Sequence, residues 1–193
     1  YAWLPWVAGI RQMRRVAVFG NAGAGKSTLA RRLSALTGLP LFPLDLLQYR
    51  PGGGKLPHDQ YLAVHAEILK RDAWIIDGFG CVESAWQRFD AADTLVHLDP
   101  ARPTLYWRVT KRLLRAPWAP PEGWPERSPM WQSTLDSYRV IGRCHRLLTP
   151  RYRDLLARSA PAKRVHHLRT GSDYRRFLAA IGQARAEGAK PSR

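Results

Sequence analysis

The residues best suited to chemistry form a glycine-rich segment near the start of the sequence, Gly20-Asn-Ala-Gly-Ala-Gly-Lys-Ser27. Glycine, four residues and then Gly-Lys-Ser is the spacing of a phosphate-binding loop, whose backbone N–H groups turn toward phosphate oxygens. In such a loop Lys26 reaches the β- and γ-phosphates, and the Ser27 hydroxyl ligates Mg²⁺. We therefore predict that ATP and Mg²⁺ bind here, with the nucleotide held by Gly20, Asn21, Ala22, Gly23, Ala24, Gly25, Lys26, Ser27 and Thr28.

Two aspartates each follow a short apolar run that is typical of a buried strand. Asp77 ends the run Ala73-Trp-Ile-Ile, as does the aspartate that supports Mg²⁺ in many nucleotide-binding proteins, so we assign it with Ser27 to the metal site. Asp45 ends another predicted strand and is expected to bind or deprotonate an acceptor hydroxyl. The alternative is that Asp77 caps its strand and Asp45 caps the following helix. Three histidines on predicted strands lack triad or metal spacing and are interpreted as structural: His97, His166 and His167.

A face of basic side chains runs along the helix predicted over residues 103–115. Arg108, Arg112 and Arg115 are spaced by four and three residues and therefore lie on one side of that helix. Arginines stabilise the negative charge that develops during phosphoryl transfer, so we predict catalytic roles for Arg112 and Arg115 beside Lys26. The alternative is a solvated helix face with no part in the chemistry.

Strands and helices alternate along the sequence, which indicates a parallel α/β sheet with right-handed crossovers. The glycine-rich loop lies between a β-branched run and an amphipathic helix that Gly38 ends, which is the context the motif requires. The predicted strands span residues 15–19, 39–45, 73–77, 94–99 and 164–168. The predicted helices begin near Ser27, Asp59, Pro103, Ser128, Pro150 and Ser172.

Residues 116–130 are rich in proline, with tryptophans between the prolines. The prolines preclude a continuous helix there. We interpret residues 108–130 as a lid or a surface loop. Residues 13–186 are predicted to form a single domain. Residues 1–12 are expected to be a non-native or flexible extension, and residues 187–193 a frayed tail.

The net charge of +16 is unevenly distributed. Residues 1–100 hold 11 Lys and Arg against 9 Asp and Glu, a net +2, whereas residues 101–193 hold 20 against 6, a net +14. The C-terminal half therefore either faces an anionic partner or is an arginine-rich solvated surface. Cys81 and Cys144 are too few for a disulfide framework, and no stretch approaches the ~20 apolar residues of a membrane span, so a cytoplasmic location is expected.

From Arg14 to about Leu178 the chain resembles the topology modulation protein group, the FlaR-like proteins among the adenylate-kinase-like P-loop NTPases. The resemblance rests on Gly20-Asn-Ala-Gly-Ala-Gly-Lys-Ser27, Leu39-Pro-Leu-Phe-Pro-Leu-Asp45, Trp74-Ile-Ile-Asp-Gly78, Trp107-Arg-Val-Thr-Lys-Arg112 and Pro125-Glu-Arg127. It implies a three-layer P-loop NTPase fold with a five-stranded parallel sheet in the order 2-3-1-4-5, ATP and Mg²⁺ as ligands, and small-molecule kinase ancestry. Asp77-Gly-Phe-Gly80 departs from the Asp-Gly-Asn-Tyr of the group and from the Asp-Gly-Phe-Pro-Arg of adenylate kinases, so the acceptor site does not carry over.

These observations together predict an ATP-dependent phosphotransferase that acts on a small acceptor, for example a nucleoside or nucleotide. Two other functions are compatible with the sequence. One is a regulatory P-loop protein that binds nucleic acid through its basic C-terminal half, and the other is an NTP hydrolase with water as the acceptor. Nucleic acid is the less favoured partner because the sequence has no zinc-finger, RNA-recognition or helix-turn-helix signature, and no membrane partner is expected.

Overall fold

The structure is a computed structural model that describes residues 13–48, 56–115 and 130–188, with side chains described from residue 135 onward in the last range. Three predicted segments therefore lie wholly or mostly outside the described residues. They are the N-terminal extension, the proline-rich part of the lid with Trp118 and Trp124, and the end of the tail.

Five strands form one parallel sheet, in the order β2-β3-β1-β4-β5. The strands are β1 Arg15–Gly20, β2 Leu41–Pro43, β3 Trp74–Asp77, β4 Thr94–Leu98 and β5 Arg164–Leu168. The order and the parallel pairing confirm the predicted fold class. Because all five strands run the same way, the loops that follow them meet at one edge of the sheet, where α/β proteins bind their ligands.

Helices connect the strands and cover both faces of the sheet. Their bounds are α1 Lys26–Thr37, α2 Leu44–Gln48, α3 His58–Leu69, α4 Val82–Ala91, α5 Arg102–Arg115, α6 Met130–Leu147, α7 Thr149–Ser159 and α8 Gly171–Gly188. Among the helices of the described ranges, none combines the length and the apolar character needed to cross a membrane.

Alternation along β1 divides the core into two layers. Val16 and Val18 face α1 and α8, whereas Ala17 and Phe19 face α4 and α7. Each fully buried large apolar side chain contributes about 1.5–3 kcal/mol to folding, so both layers hold β1 firmly in place. The first layer includes Leu29, Leu33, Phe177 and Ile181, and the second includes Phe89, Tyr152, Leu155 and Leu156.

The second strand is shorter than the predicted span of residues 39–45, since it covers only Leu41–Pro43. Pro43 ends the strand because proline has no N–H to donate to a neighbouring strand. Leu44 is fully buried and begins the short helix α2. Asp45 therefore lies in the first turn of a helix, and its prediction as a strand-end residue was wrong.

Glycine ends α1 as predicted, but the start of α8 differs from the prediction. Gly38 has φ +76°, and its N–H donates to the Ser34 carbonyl at 2.7 Å. The last helix begins at Gly171, so Ser172 lies within it and not at its cap position. The Asp173 carboxylate instead accepts backbone N–H groups at this end, from Arg169 at 3.1 Å and Thr170 at 2.9 Å.

Candidate nucleotide and magnesium site

The glycine-rich loop follows β1 directly and has a backbone that requires glycine. Gly20 has φ +148° and Gly23 has φ +74°, both in the region that other residues rarely adopt. A Cβ atom at Gly20 would lie 2.3 Å from the Leu98 carbonyl oxygen, and one at Gly23 would lie 2.9 Å from that of Leu105. The loop therefore packs directly against the end of β4 and against α5.

Asn21 anchors the loop to a distant helix. Its side chain is buried, and the Nδ2 atom donates to the Ile141 carbonyl of α6 at 3.0 Å. The Oδ1 atom accepts the Ala22 N–H at 2.7 Å, and the Asn21 carbonyl accepts the Ala24 N–H at 3.2 Å. Asn21 is therefore a structural clamp as well as a member of the loop. The motif alone predicts its place in the loop and gives no indication of the contact with α6.

Lys26 opens α1 directly after Gly25, which has φ +95°. The half-buried Lys26 side chain donates from Nζ to the Asn21 carbonyl at 3.0 Å, which keeps the ammonium group over the loop. The first turn of α1 contains no acidic residue, so the positive end of the helix dipole is left for an external anion. Loop, lysine and helix end thus converge on one place suited to phosphate.

The sheet register brings Asp77 beside the loop. Asp77 at the end of β3 pairs with Val18 of β1, and its carboxyl group hydrogen-bonds the Ser27 side chain. The Asp77 side chain is buried, with the residue 4% exposed, and its Oδ1 has no hydrogen-bond partner among the described residues. Burial raises the pKa of Asp77, and this effect is opposed by the Lys26 charge and the Ser27 hydrogen bond.

A divalent cation fits these two residues. A buried carboxylate oxygen without a partner is costly unless an ion, a proton or water satisfies it. Mg²⁺ takes oxygen ligands, typically one or two from the protein together with phosphate and water oxygens. The Ser27 hydroxyl and the Asp77 carboxylate supply such oxygens next to the phosphate loop, so the donor set is compatible with the Mg²⁺ predicted from the sequence.

Asp45 lies at the same edge of the sheet although it is on a helix. A Cβ atom built at Gly78 would be 3.7 Å from Asp45 Oδ1, which places this carboxylate beside the turn that follows Asp77. The charge of Asp45 also contributes to the raised pKa of Asp77. Asp45 itself is exposed, so its oxygens are accessible to a molecule that approaches the site.

The arginines of α5 have three different environments. Arg108 Nη1 donates to the Ala24 carbonyl of the phosphate loop at 2.9 Å. Arg112 is half-buried, its Nη2 donates to the Ser137 hydroxyl of α6 at 3.4 Å, and burial lowers its pKa. Arg115 is exposed at the end of the helix. The shared helix face was visible in the sequence, but only the structure indicates that Arg108 is the member in contact with the loop.

Arg88 is a buried residue near the site that the sequence interpretation missed. Its side chain is fully buried in α4, and Nη2 donates to the Gly78 carbonyl at 2.9 Å and more weakly to that of Phe79 at 3.4 Å. Burial lowers the pKa of Arg88 to about 10, and the nearby Asp77 carboxylate partly offsets this effect. The guanidinium therefore supports the turn after β3. The sequence offered one signal for this burial. Arg88 follows the apolar Ala85 by three residues and therefore lies on the apolar face of the helix.

Comparison with solved structures finds similarity to two kinases. The chain is similar to shikimate kinase from Acinetobacter baumannii, solved in complex with shikimate, with a TM-score of 0.54 and 17% sequence identity over 95% of this chain and 99% of that chain. A gluconokinase from Sinorhizobium meliloti 1021 also matches, with a TM-score of 0.47 and 16% identity over 91% of this chain and 93% of that chain. The sequence matches no protein-family model, and no curated protein matches it.

At this level of identity the similarity to shikimate kinase shows the fold alone, a five-stranded parallel sheet flanked by helices. The predicted sheet order and the flanking helices agree with that fold.

Proposed function

We propose that this protein is an ATP-dependent phosphotransferase that moves the γ-phosphoryl group of ATP to a small acceptor. The observation that carries the proposal is the buried Asp77 carboxylate, which is bonded to Ser27 on the phosphate loop and has one oxygen without a partner among the described residues. An ordinary glycine turn before a helix would have no need for this carboxylate. A loop that binds Mg²⁺ and a nucleotide does need it.

The loop and the start of α1 bind the phosphates in this proposal. Backbone N–H groups of Gly20 to Thr28 surround the phosphate oxygens, and Lys26 leaves the Asn21 carbonyl to contact the β- and γ-phosphates. Ser27 and Asp77 would hold Mg²⁺. When bound, that ion neutralises phosphate charge during transfer.

The acceptor side of the proposal rests on Asp45. Its exposed carboxylate lies beside Gly78, near enough to Asp77 to raise the pKa of that residue. An accessible carboxylate in this position can accept a hydrogen bond from an acceptor hydroxyl and then its proton as the phosphoryl group is transferred. A nucleoside or a nucleotide is one class of acceptor with such a hydroxyl.

Arginines of α5 supply positive charge to the transferring group in this proposal. Arg108 already contacts the loop at the Ala24 carbonyl. Arg112 and Arg115 follow on the same helix and are the further members of this group that we propose to act on the transferring phosphoryl group. Such groups act most strongly on the charge of the transition state and therefore affect kcat more than binding.

The finer assignment, to the adenylate-kinase-like enzymes and within them to the topology modulation protein group, is also a proposal. It rests on the sequence segments from Gly20-Asn-Ala-Gly-Ala-Gly-Lys-Ser27 to Pro125-Glu-Arg127. The P-loop kinase fold is compatible with it.

The test is to incubate the full chain with Mg²⁺ and ATP labelled at the γ-phosphate, in the presence of nucleosides, nucleotides and small alcohols. Label in one of the acceptors supports the proposal, whereas label only in inorganic phosphate would indicate an NTP hydrolase. Lys26→Ala should abolish turnover, and Lys70→Ala is the matched control because Lys70 is exposed and pairs only locally with Glu67 at 2.6 Å. Equal activity of Lys26→Ala and the wild type would refute the loop as the active site.

A further inference from the structure

Three potential metal ligands meet at the edge of β4 and β5, in a place that the proposed transfer reaction does not use. His97 and Asp99 are two residues apart and therefore point to the same face of the sheet. His97 of β4 is directly paired with His167 of β5. One ligand atom from each of the three residues lies within 4.8 Å of the other two.

Backbone and ring contacts hold this group in place. The Asp99 N–H donates to the Leu168 carbonyl at 2.9 Å, which continues the pairing of the two strands beyond their ends. The rings of His97 and His167 stack with centroids 5.1 Å apart, and the Phe19 ring stacks on the other side of His97 at 5.0 Å. Tyr152 meets the His97 ring edge-on at 5.3 Å. The His97 ring is thus held by packing, and the backbones of Asp99 and His167 are held by strand pairing, so only short side-chain movements are needed to surround an ion.

The buried histidine has a nitrogen that the protein itself leaves without a partner. His97 is 1% exposed, and its Nδ1 has no hydrogen-bond partner in the part of the chain that the structure describes. A buried polar nitrogen without a partner is costly, and a bound cation would satisfy it. The Asp99 carboxylate lies beside this ring and is hydrogen-bonded by Arg153 and His167.

We propose that His97, Asp99 and His167 bind a transition-metal cation of the Zn²⁺ class, at a site separate from the one that Ser27 and Asp77 offer to Mg²⁺. Two imidazole nitrogens and one carboxylate oxygen suit zinc, whereas Mg²⁺ prefers oxygen ligands alone. Zinc bonds of about 2 Å in a tetrahedral site hold two ligand atoms roughly 3.3 Å apart. The three side chains must therefore close by up to about 1.5 Å around the ion, with water as the fourth ligand.

Arg153 provides a test between a metal site and a purely structural ion-pair network, because its role differs in the two cases. It donates to Asp99 Oδ2 from Nη2 at 2.8 Å and from Nε at 3.2 Å, and His167 Nε2 bonds the same oxygen at 3.0 Å. The Arg153 side chain is 51% exposed, so its guanidinium can move into solvent when a cation takes its place at Asp99. If the group binds metal, Arg153 is a competitor for Asp99. If the group only ties α7 to the sheet, Arg153 is a stabilising partner.

The experiment measures Zn²⁺ binding to the full chain, with any affinity tag removed and bound metal stripped by a chelator. Titration against a chromophoric chelator should give one Zn²⁺ per chain. His167→Ala and Asp99→Asn should each weaken binding at least tenfold, whereas Arg153→Ala should tighten it. His58→Ala is the control because His58 is exposed at the start of α3, away from the cluster.

Co²⁺ provides a second readout, since a cluster that is only structural would not give the visible spectrum of a bound metal ion. The visible spectrum of bound Co²⁺ should show tetrahedral coordination in the wild type and lose it in His167→Ala, a partly exposed position whose substitution should leave the chain folded. Absence of one-to-one binding in the wild type would overturn the proposal. So would equal affinity in wild type and His167→Ala, or an Arg153→Ala variant that loses stability without any gain in metal affinity.

Discussion

Gly23 and Gly38 form a matched pair that tests how closely the phosphate loop packs on α5. Their backbones are nearly the same, with φ +74° and +76°. A Cβ atom at Gly38 would meet nothing within 4 Å, whereas one at Gly23 would lie 2.9 Å from the Leu105 carbonyl oxygen and 3.0 Å from Val109 Cγ2. Alanine therefore adds similar backbone strain at both positions and crowding only at Gly23.

The structure gives the expected size of the difference. Backbone strain in the left-handed region costs roughly 1–2 kcal/mol, so Gly38→Ala should lower the free energy of unfolding by that amount. Overpacking adds about 1–3 kcal/mol, so Gly23→Ala should lose more stability than Gly38→Ala by that margin. Gly38→Ala should leave ATP affinity unchanged. Gly23→Ala should weaken ATP binding about tenfold or more, because a displaced loop that loses about 1.4 kcal/mol of binding free energy already binds ten times more weakly.

Urea unfolding followed by circular dichroism measures the stability difference, and calorimetric titration with Mg²⁺ and an ATP analogue measures affinity. Equal losses of stability in the two variants, with normal affinity in both, would show that the loop does not rest on Leu105 and Val109. The contact of Arg108 with the loop, and the role proposed for it, would then be wrong as well.

Other substitutions test the remaining roles. Asp45→Asn should slow phosphoryl transfer much more than it weakens ATP binding, and an equal loss of ATP affinity would place Asp45 at the metal instead. Arg108→Ala, Arg112→Ala and Arg115→Ala should each lower kcat, by about a hundredfold or more for an arginine that contacts the transferring group, and steady-state kinetics would separate this from a change in KM. Burial raises the pKa of Asp77 in the folded chain. The ionised Asp77 carboxylate therefore lowers the free energy of unfolding of the metal-free protein at pH values above the ordinary aspartate pKa, and this destabilisation disappears as the pH falls below that pKa. The Asp77→Asn variant should therefore be more stable than the wild type at pH 7, and this difference should disappear toward about pH 4. It should lose ATP turnover at every pH. Urea unfolding at the two pH values tests this, and a stability difference that is the same at both would contradict it.

Local patterns were sufficient to predict the elements around the phosphate loop. The glycine spacing, the apolar run of β1 and the amphipathic helix α1 depend on neighbours in sequence, and the structure confirms these elements. The apolar strands β3, β4 and β5 were also predicted within a residue or two. The sheet order came from the family resemblance, because the residues themselves indicate parallel strands but do not order them.

Features that depend on distant contacts were missed or misplaced. Asp45 was predicted on a strand because the residues around Pro43 carry no local signal that a helix begins at Leu44. Leu44 is buried by contacts that the sequence pattern does not show. The Asn21 contact with Ile141 spans 120 residues, so no local pattern could indicate it. His97 and His167 show no metal spacing in the sequence because only the pairing of β4 with β5 places them side by side.

The anchoring of the loop also bears on the order in which the site becomes functional during synthesis. The phosphate-loop motif leaves the ribosome before Leu105, Val109 and Ile141, but it rests on Leu105 and Val109 and is held by Asn21 against Ile141. A nascent chain that stops before Ile141 therefore carries the complete motif without the contacts that shape it. If the loop binds ATP as proposed, ATP stabilises only those species in which the loop has the shape that binds it. In that case ATP would stabilise the finished protein more than a growing chain that still lacks these contacts.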